Sequence, residues 1–110
     1  PELAARIHEC HPEVSFWAMN GKKPLDEPKK VKGRPYPPGL ALRRRLLAAH
    51  GFDTGLLTED NARRMRAGQD DLIDATAAAW TAMRIVCGEA LSFPDPPEND
   101  QFGLPVATKA

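Results

Sequence analysis

The sequence predicts the α/β class, mostly helix with one or two short strands. Three observations carry that prediction. Residues 70–88 form an apolar, alanine-rich stretch with helical spacing. Residues 3–10 alternate in the manner of a strand. The 11 prolines fall mostly in two clusters, which leaves long irregular connections between short elements. At 110 residues the chain is at most one small domain, and its 42% apolar content allows a packed core.

Within residues 3–10, Arg6, His8 and Cys10 sort onto one face and Ile7 and Glu9 onto the other. His11-Pro12-Glu13 then starts a short helix. Pro12 suits the first helical position, and Glu13 suits the positive end of the helix dipole. Val14, Trp17 and Ala18 share one face, flanked by Phe16, and Asn20-Gly21 closes the helix. Residues 22–38 are basic and proline-rich, and read as an exposed, mobile loop. A second helix is expected over residues 39–50. Leu42, Leu46 and Ala49 should face inward with Leu47 beside them, and Arg43, Arg44 and Arg45 outward.

A third, lightly buried helix follows Thr58 as N-cap. Glu59 and Asp60 fill its first turn, Arg63, Arg64 and Arg66 lie near its end, and Gly68 should stop it. The long helix presents Leu72, Thr76, Ala79, Met83 and Val86 as its stripe, with Ile73, Ala77 and Trp80 beside it. Residues 90–93 read as a second short strand and residues 94–110 as an irregular tail, with an extended segment at Leu104-Pro105-Val106 as an alternative. So broad an apolar helix exceeds what this small sheet can cover. Part of the domain is therefore expected to be missing or supplied by another chain, and a homo-oligomer would hide the uncovered surface. The chain opens on Pro1 without an initiator Met, which leads to the expectation of a fragment or processed piece.

The net charge of zero gives no global pull toward nucleic acid, but the charges are unevenly placed. Residues 22–45 hold nine basic side chains and two acids, whereas residues 53–101 hold ten acids and four basic side chains. No apolar run reaches the ~18 residues that span a membrane, and no signal peptide is visible. The expectation is a cytoplasmic protein with no membrane partner. Cys10 and Cys87 form no recognisable spacing, and suggest small buried residues rather than a secreted scaffold.

Gln69-Asp70-Asp71-Leu72-Ile73-Asp74-Ala75 places three carboxylates at the start of the long helix. Asp71 and Asp74 are three residues apart and share a face. Two readings of them stand side by side. One is an acidic first turn that complements the helix dipole. The other is a divalent-metal site completed by Glu9 on the strand, since hard oxygen ligands suit Mg2+ or Mn2+ in phosphodiester hydrolysis. A zinc site at His8, Cys10 and His11 with Cys87 fits poorly, because the strand splits those residues between two faces. Nucleophilic catalysis by Cys10 with His8 or His11 is disfavoured, because no oxyanion device accompanies them in the sequence. The run Lys29, Lys30, Lys32 and Arg34 is either a solvated loop or a contact to phosphates.

The stretch His8-Glu9-Cys10-His11-Pro12-Glu13-Val14-Ser15-Phe16-Trp17 resembles the E-x-H-P-E-x-S-F-W signature of domain of unknown function 429. This is a family of predicted RNase H-like nucleases. Asp70-Asp71-Leu72-Ile73-Asp74-Ala75 resembles its second signature, and Glu89-Ala90, Phe93-Pro94 and Gly103-Leu104 its closing segment. The resemblance implies the C-terminal portion of an RNase H-like fold, in which a mixed sheet is flanked by helices. It implies phosphodiester hydrolysis with Mg2+ or Mn2+ held by Glu9, Asp71 and Asp74. His11, Glu13 and Asp70 would be second choices, and Lys29, Lys30, Lys32 and Arg34 would face a nucleic-acid backbone. The family's first half, with its opening strands and first catalytic Asp, has no counterpart here. The rival expectation is a non-catalytic binding or interaction module, in which the carboxylates are helix-start charges and the apolar helix is a partner surface.

Overall fold

The computed structural model describes residues 6–110. The first part of the expected strand, residues 3–5, lies outside the described residues. The strand itself is shorter than its alternation suggests. Residues 6–8 are turn and coil, and β1 is only Glu9–Cys10. Helix α1 (Pro12–Met19) follows with Pro12 in its first turn, then the hairpin β2 (Lys30–Val31) and β3 (Arg34–Pro35). Helix α2 (Pro37–Ala49), a 3-10 turn (Thr54–Leu56), α3 (Glu59–Arg64) and α4 (Gln69–Val86) come next. The chain closes with β4 (Ser92–Asn99) and β5 (Pro105–Lys109). The class is mixed α/β, as predicted, with four α-helices and small sheets among the described residues.

The tail is the main correction. It forms strands where the prolines predict irregular chain, and the extended segment at 104–106 is the start of β5. The sheet runs β1-β5-β4, with β1 parallel to β5 and β4 antiparallel to it. Ser92 and Phe93 pair with Lys109 and Thr108, and Glu98 and Asn99 with Val106 and Pro105. Residues 94–97, which carry all three of the strand's prolines, therefore stand opposite Ala107 alone and bulge out of the ladder. A proline that donates no hydrogen bond is tolerated on an edge strand at such a bulge. Asp100 shapes the hairpin turn by accepting from the Phe102 and Leu104 N–H groups.

The core lies between helices rather than on the sheet. Phe16 and Met19 of α1, Leu40 and Leu47 of α2, Leu57, and Ile73, Ala77 and Trp80 of α4 pack together. Full burial of Phe16, Leu47 and Ile73 stabilises the fold by about 2 kcal/mol each. The buried stripe of α4 is offset by one position from the expected one. Ile73, Ala77, Trp80 and Thr81 are buried, while Met83 and Val86 are exposed. Hydrophobic spacing alone hardly distinguishes these stripes, because the helix carries apolar residues on most of its circumference. Thr81 is tied to α1 by a buried hydroxyl pair, Ser15 Oγ to Thr81 Oγ1 at 2.7 Å.

Two further expectations change. Gly68 does not stop α3, which ends at Arg64; it is the N-cap of α4. Arg43 does not face solvent with Arg45 but is buried on α2 between Leu40 and Leu47. Its guanidinium lies 5.7 Å from the Phe16 ring centre and bonds Glu13 and two carbonyls, of Glu27 and Gly39. A buried cation is tolerated when it is paired and hydrogen-bonded in this way.

Candidate functional site

The acidic start of α4 is the place to begin. Asp70, Asp71 and Asp74 lie in its first two turns, and each has a different partner. Asp71 turns back on its own helix, where Oδ2 accepts the Gly68 N–H at 2.9 Å. This is the return half of a capping box, and it satisfies a donor that the helix cannot satisfy internally. Asp70 and Asp74 are one turn apart on the neighbouring strip of surface. Asp74 Oδ2 accepts from Lys29 Nζ at 2.7 Å, and Asp70 Oδ2 lies 3.3 Å from Lys30 Nζ. The other Asp74 oxygen, Oδ1, is buried without a hydrogen-bond partner.

These two pairs overturn the reading of residues 22–38 as a mobile loop. The segment is docked. Leu25 packs against the core, and the Glu27 carbonyl accepts from Arg43 Nη1 at 2.9 Å. Gly39 admits the Pro28 carbonyl only because it has no side chain, since a Cβ there would overlap that oxygen. The β2–β3 hairpin is closed by Lys32 and Gly33, both at positive φ, as a two-residue hairpin turn requires. Lys32 and Arg34 remain exposed at its tip. Partial burial acts to lower the Lys29 pKa. The hydrogen bond and charge of Asp74, with Glu13 and Asp70 nearby, outweigh it and raise the pKa above the ordinary lysine value of 10.5.

Glu9 sits elsewhere. It is exposed on β1, and among the described residues its carboxylate meets its neighbour His11, with Oε1 2.8 Å from Nε2. It borders a cleft of about 420 Å³ at the sheet, with Val106 and Lys109 of β5. Asp70 borders a different cleft of about 530 Å³ between α2, α3 and the start of α4, with Leu40, Arg44 and Arg63. Among the described residues, no group of three or more His, Cys, Asp or Glu side chains is arranged to hold a metal ion. The fold thus groups Asp70 with Asp74 on one strip of α4, and brings neither to Glu9. Cys10 and Cys87 are both free thiols, half-buried and exposed respectively rather than buried as expected, and Cys10 Sγ lies 3.4 Å from Ser15 Oγ.

The motif around α1 can now be read residue by residue. Glu13 holds Arg43, Ser15 holds Thr81, Phe16 fills the core, and Trp17 stacks edge-on against Phe93 at 5.8 Å. Glu9 and His11 have no such structural work and face solvent. The lysine–aspartate pairs were missed by local reading. Their signal was the charge asymmetry between the basic loop and the acidic helix start.

No helix among the described residues is long and apolar enough to cross a membrane. Comparison with curated proteins and with solved structures returns no match. A family model does match, over residues 1–99, and its description is a protein of unknown function, DUF429. The two signature stretches, the Glu9–Trp17 region and the acidic start of α4, both fall inside that match, and the chain belongs to the DUF429 family.

Proposed function

We propose that this chain carries part of an RNase H-like nuclease site that hydrolyses phosphodiesters with Mg2+ or Mn2+. The observation that carries the reading is the orphaned oxygen of Asp74. A buried carboxylate oxygen without a donor is costly, and it is the hard ligand that these cations take. Asp74 would hold the ion in this reading, with Asp71 beside it once released from the Gly68 cap; Glu9, the expected third ligand, borders a different cleft and is not brought to them among the described residues. When bound, the ion supplies an activated water and neutralises charge on the phosphate.

The chain's own residues do the rest. The cap at Gly68 fixes the first turn of α4, and with it the direction of Asp71. Exposed Lys32 and Arg34 offer charge to a nucleic-acid backbone. The outer edge of β1 has no strand beside it among the described residues, and Glu9 stands on that strand. A further strand added there, from the same polypeptide or from a second chain, would complete the sheet next to Glu9. The two free thiols fit a cytoplasmic location.

A second reading, a non-catalytic interaction module, is favoured by one observation: Asp70, Asp71 and Asp74 all have structural partners already. Calorimetric titration of the full-length protein with Mn2+ separates the two. Binding that weakens at least tenfold in Asp71→Asn and Asp74→Asn supports the metal site. Binding that both variants retain unchanged removes these residues from it. Cleavage of labelled single-stranded and duplex DNA and RNA, with and without Glu9→Gln, then tests the activity.

A further inference from the structure

The β4–β5 hairpin leaves the body of the molecule as an arm. Every residue from Phe93 to Val106 is exposed, and Phe102, at the turn, is 77% exposed. The turn is nonetheless fixed. The Asp100 carboxylate accepts from the Phe102 and Leu104 N–H groups, and the Asp100 N–H donates to the Leu104 carbonyl at 2.9 Å. An aromatic side chain held out on a rigid turn loses little freedom on docking. The arm is also acidic. It carries Asp95, Glu98 and Asp100, and no basic residue lies between Arg84 and Lys109.

The cleft between α2, α3 and the start of α4 has the opposite character. Pro35, Pro37, Leu40 and Ala41 give it an apolar lining. The two acids that border it are engaged, Asp70 by Lys30 and Glu59 by Arg63. Arg44 makes one hydrogen bond among the described residues, Nη2 to the Thr54 carbonyl at 3.3 Å, and its Nε has no partner. Exposed Arg34 and Arg66 adjoin the lining residues Pro35 and Ala67. A space of about 530 Å³ accommodates a phenyl ring.

We propose that the chain forms a two-fold dimer in which Phe102 of each copy enters this cleft of the other. The occupant is a second copy because the charges match, acidic arm to basic rim, within a chain whose net charge is zero. The geometry closes as well. The cleft opens at the N-terminal end of α4, and the arm springs from beyond its C-terminal end. Two copies set antiparallel therefore bring each arm to the other's cleft, and the pairing ends at two. Phe102 is the apolar anchor, and Glu98 and Asp100 bring their charge to Arg44 and its neighbours. The dimer uses neither the β1 edge nor Glu9, Asp71 and Asp74, so it stands or falls separately from the nuclease site.

Sedimentation velocity of the full-length protein over a range of concentrations is the first test. The wild type should reach a dimer and go no further, and added NaCl should weaken the dimer by screening the charges. Phe102→Ser, at an exposed position that leaves the fold intact, should weaken dimerisation on the order of tenfold or more. The second test places the photo-crosslinker benzoylphenylalanine at position 102. Illumination should give adducts of dimer mass on residues 35–44 or 63–70 of the other copy. A wild type that stays monomeric at every concentration, or a ladder of higher oligomers, overturns the proposal. So does a dimer that Phe102→Ser or salt leaves unchanged, and so do adducts confined to other residues.

Discussion

The Arg43 guanidinium meets the Glu13 carboxylate through two parallel hydrogen bonds, Nε to Oε1 at 2.9 Å and Nη2 to Oε2 at 2.7 Å. The pair is unequal in exposure, since the Arg43 side chain is 3% exposed and that of Glu13 48%. Loss of Glu13 strands a buried cation, whereas loss of Arg43 leaves a carboxylate that water can reach. Glu13→Ala should therefore destabilise the fold by about 2 kcal/mol, below the cost of breaking a fully buried pair because water reaches one side. A thermal midpoint lower by roughly 10 °C would accompany it. Arg43→Lys should not restore stability, because an ammonium cannot supply the parallel fork. A midpoint unchanged in Glu13→Ala would show that the pair is not a fastening of α1 to α2.

Ser15 and Thr81 form the corresponding fastening between α1 and α4. Each single replacement, Ser15→Ala or Thr81→Val, leaves one buried hydroxyl without its partner and should cost about 1–2 kcal/mol. The double variant should cost less than the sum, by roughly 0.5–1 kcal/mol or more. Urea denaturation of the four proteins checks this, and strict additivity would mean that the two hydroxyls do not interact.

Gly39 is a contact point between backbone segments. Gly39→Ala places a methyl group into the Pro28 carbonyl, which cannot move as a flexible side chain would. The expected result is a loss of about 1–3 kcal/mol, with faster proteolysis confined to residues 22–36. Resistance to protease equal to that of the wild type would mean that the segment is not seated on α2.

The Lys29–Asp74 pair gives the stability a signature in alkali. The folded-state pKa of Lys29 is raised above 10.5, so folding favours the protonated form. The contribution is complete below the ordinary lysine value, and is lost as pH rises through the raised one. Wild-type protein should lose its stability advantage over Lys29→Met as pH climbs past about 10.5, and should keep it unchanged between pH 6 and 9. A difference that stays flat from neutral pH to the alkaline limit would sink the assignment.

How much of this was legible in the sequence depends on the range of the interaction. The helix at Asp70, the proline start of α1 and the Thr58 cap are local, and the residues themselves specify them. Arg43 was not legible. In a run of three arginines the physical default is solvent, and the partner that draws Arg43 inward lies 30 residues away on another helix. The docking of Lys29 onto Asp74 spans 45 residues and is equally invisible to spacing. The offset of the α4 stripe has another cause, because Leu72 and Ile73 begin two nearly equivalent apolar rows. The prolines of β4 misled because they mark a bulge within a strand as readily as the end of one. For the site, the acidic residues on α4 were recognised as a group, but only the fold tells Asp71, spent on a cap, from Asp74, with an oxygen to spare.

The bulged prolines of β4 also give the sheet a polarity of growth. One flank, β4, shows incoming backbone a row interrupted at Pro94, Pro96 and Pro97, where there is no amide hydrogen to offer. Among the described residues the opposite flank, β1, carries none of these blocks. A strand added through β1 would leave only proline-blunted margins facing the next molecule, and edge pairing would end there.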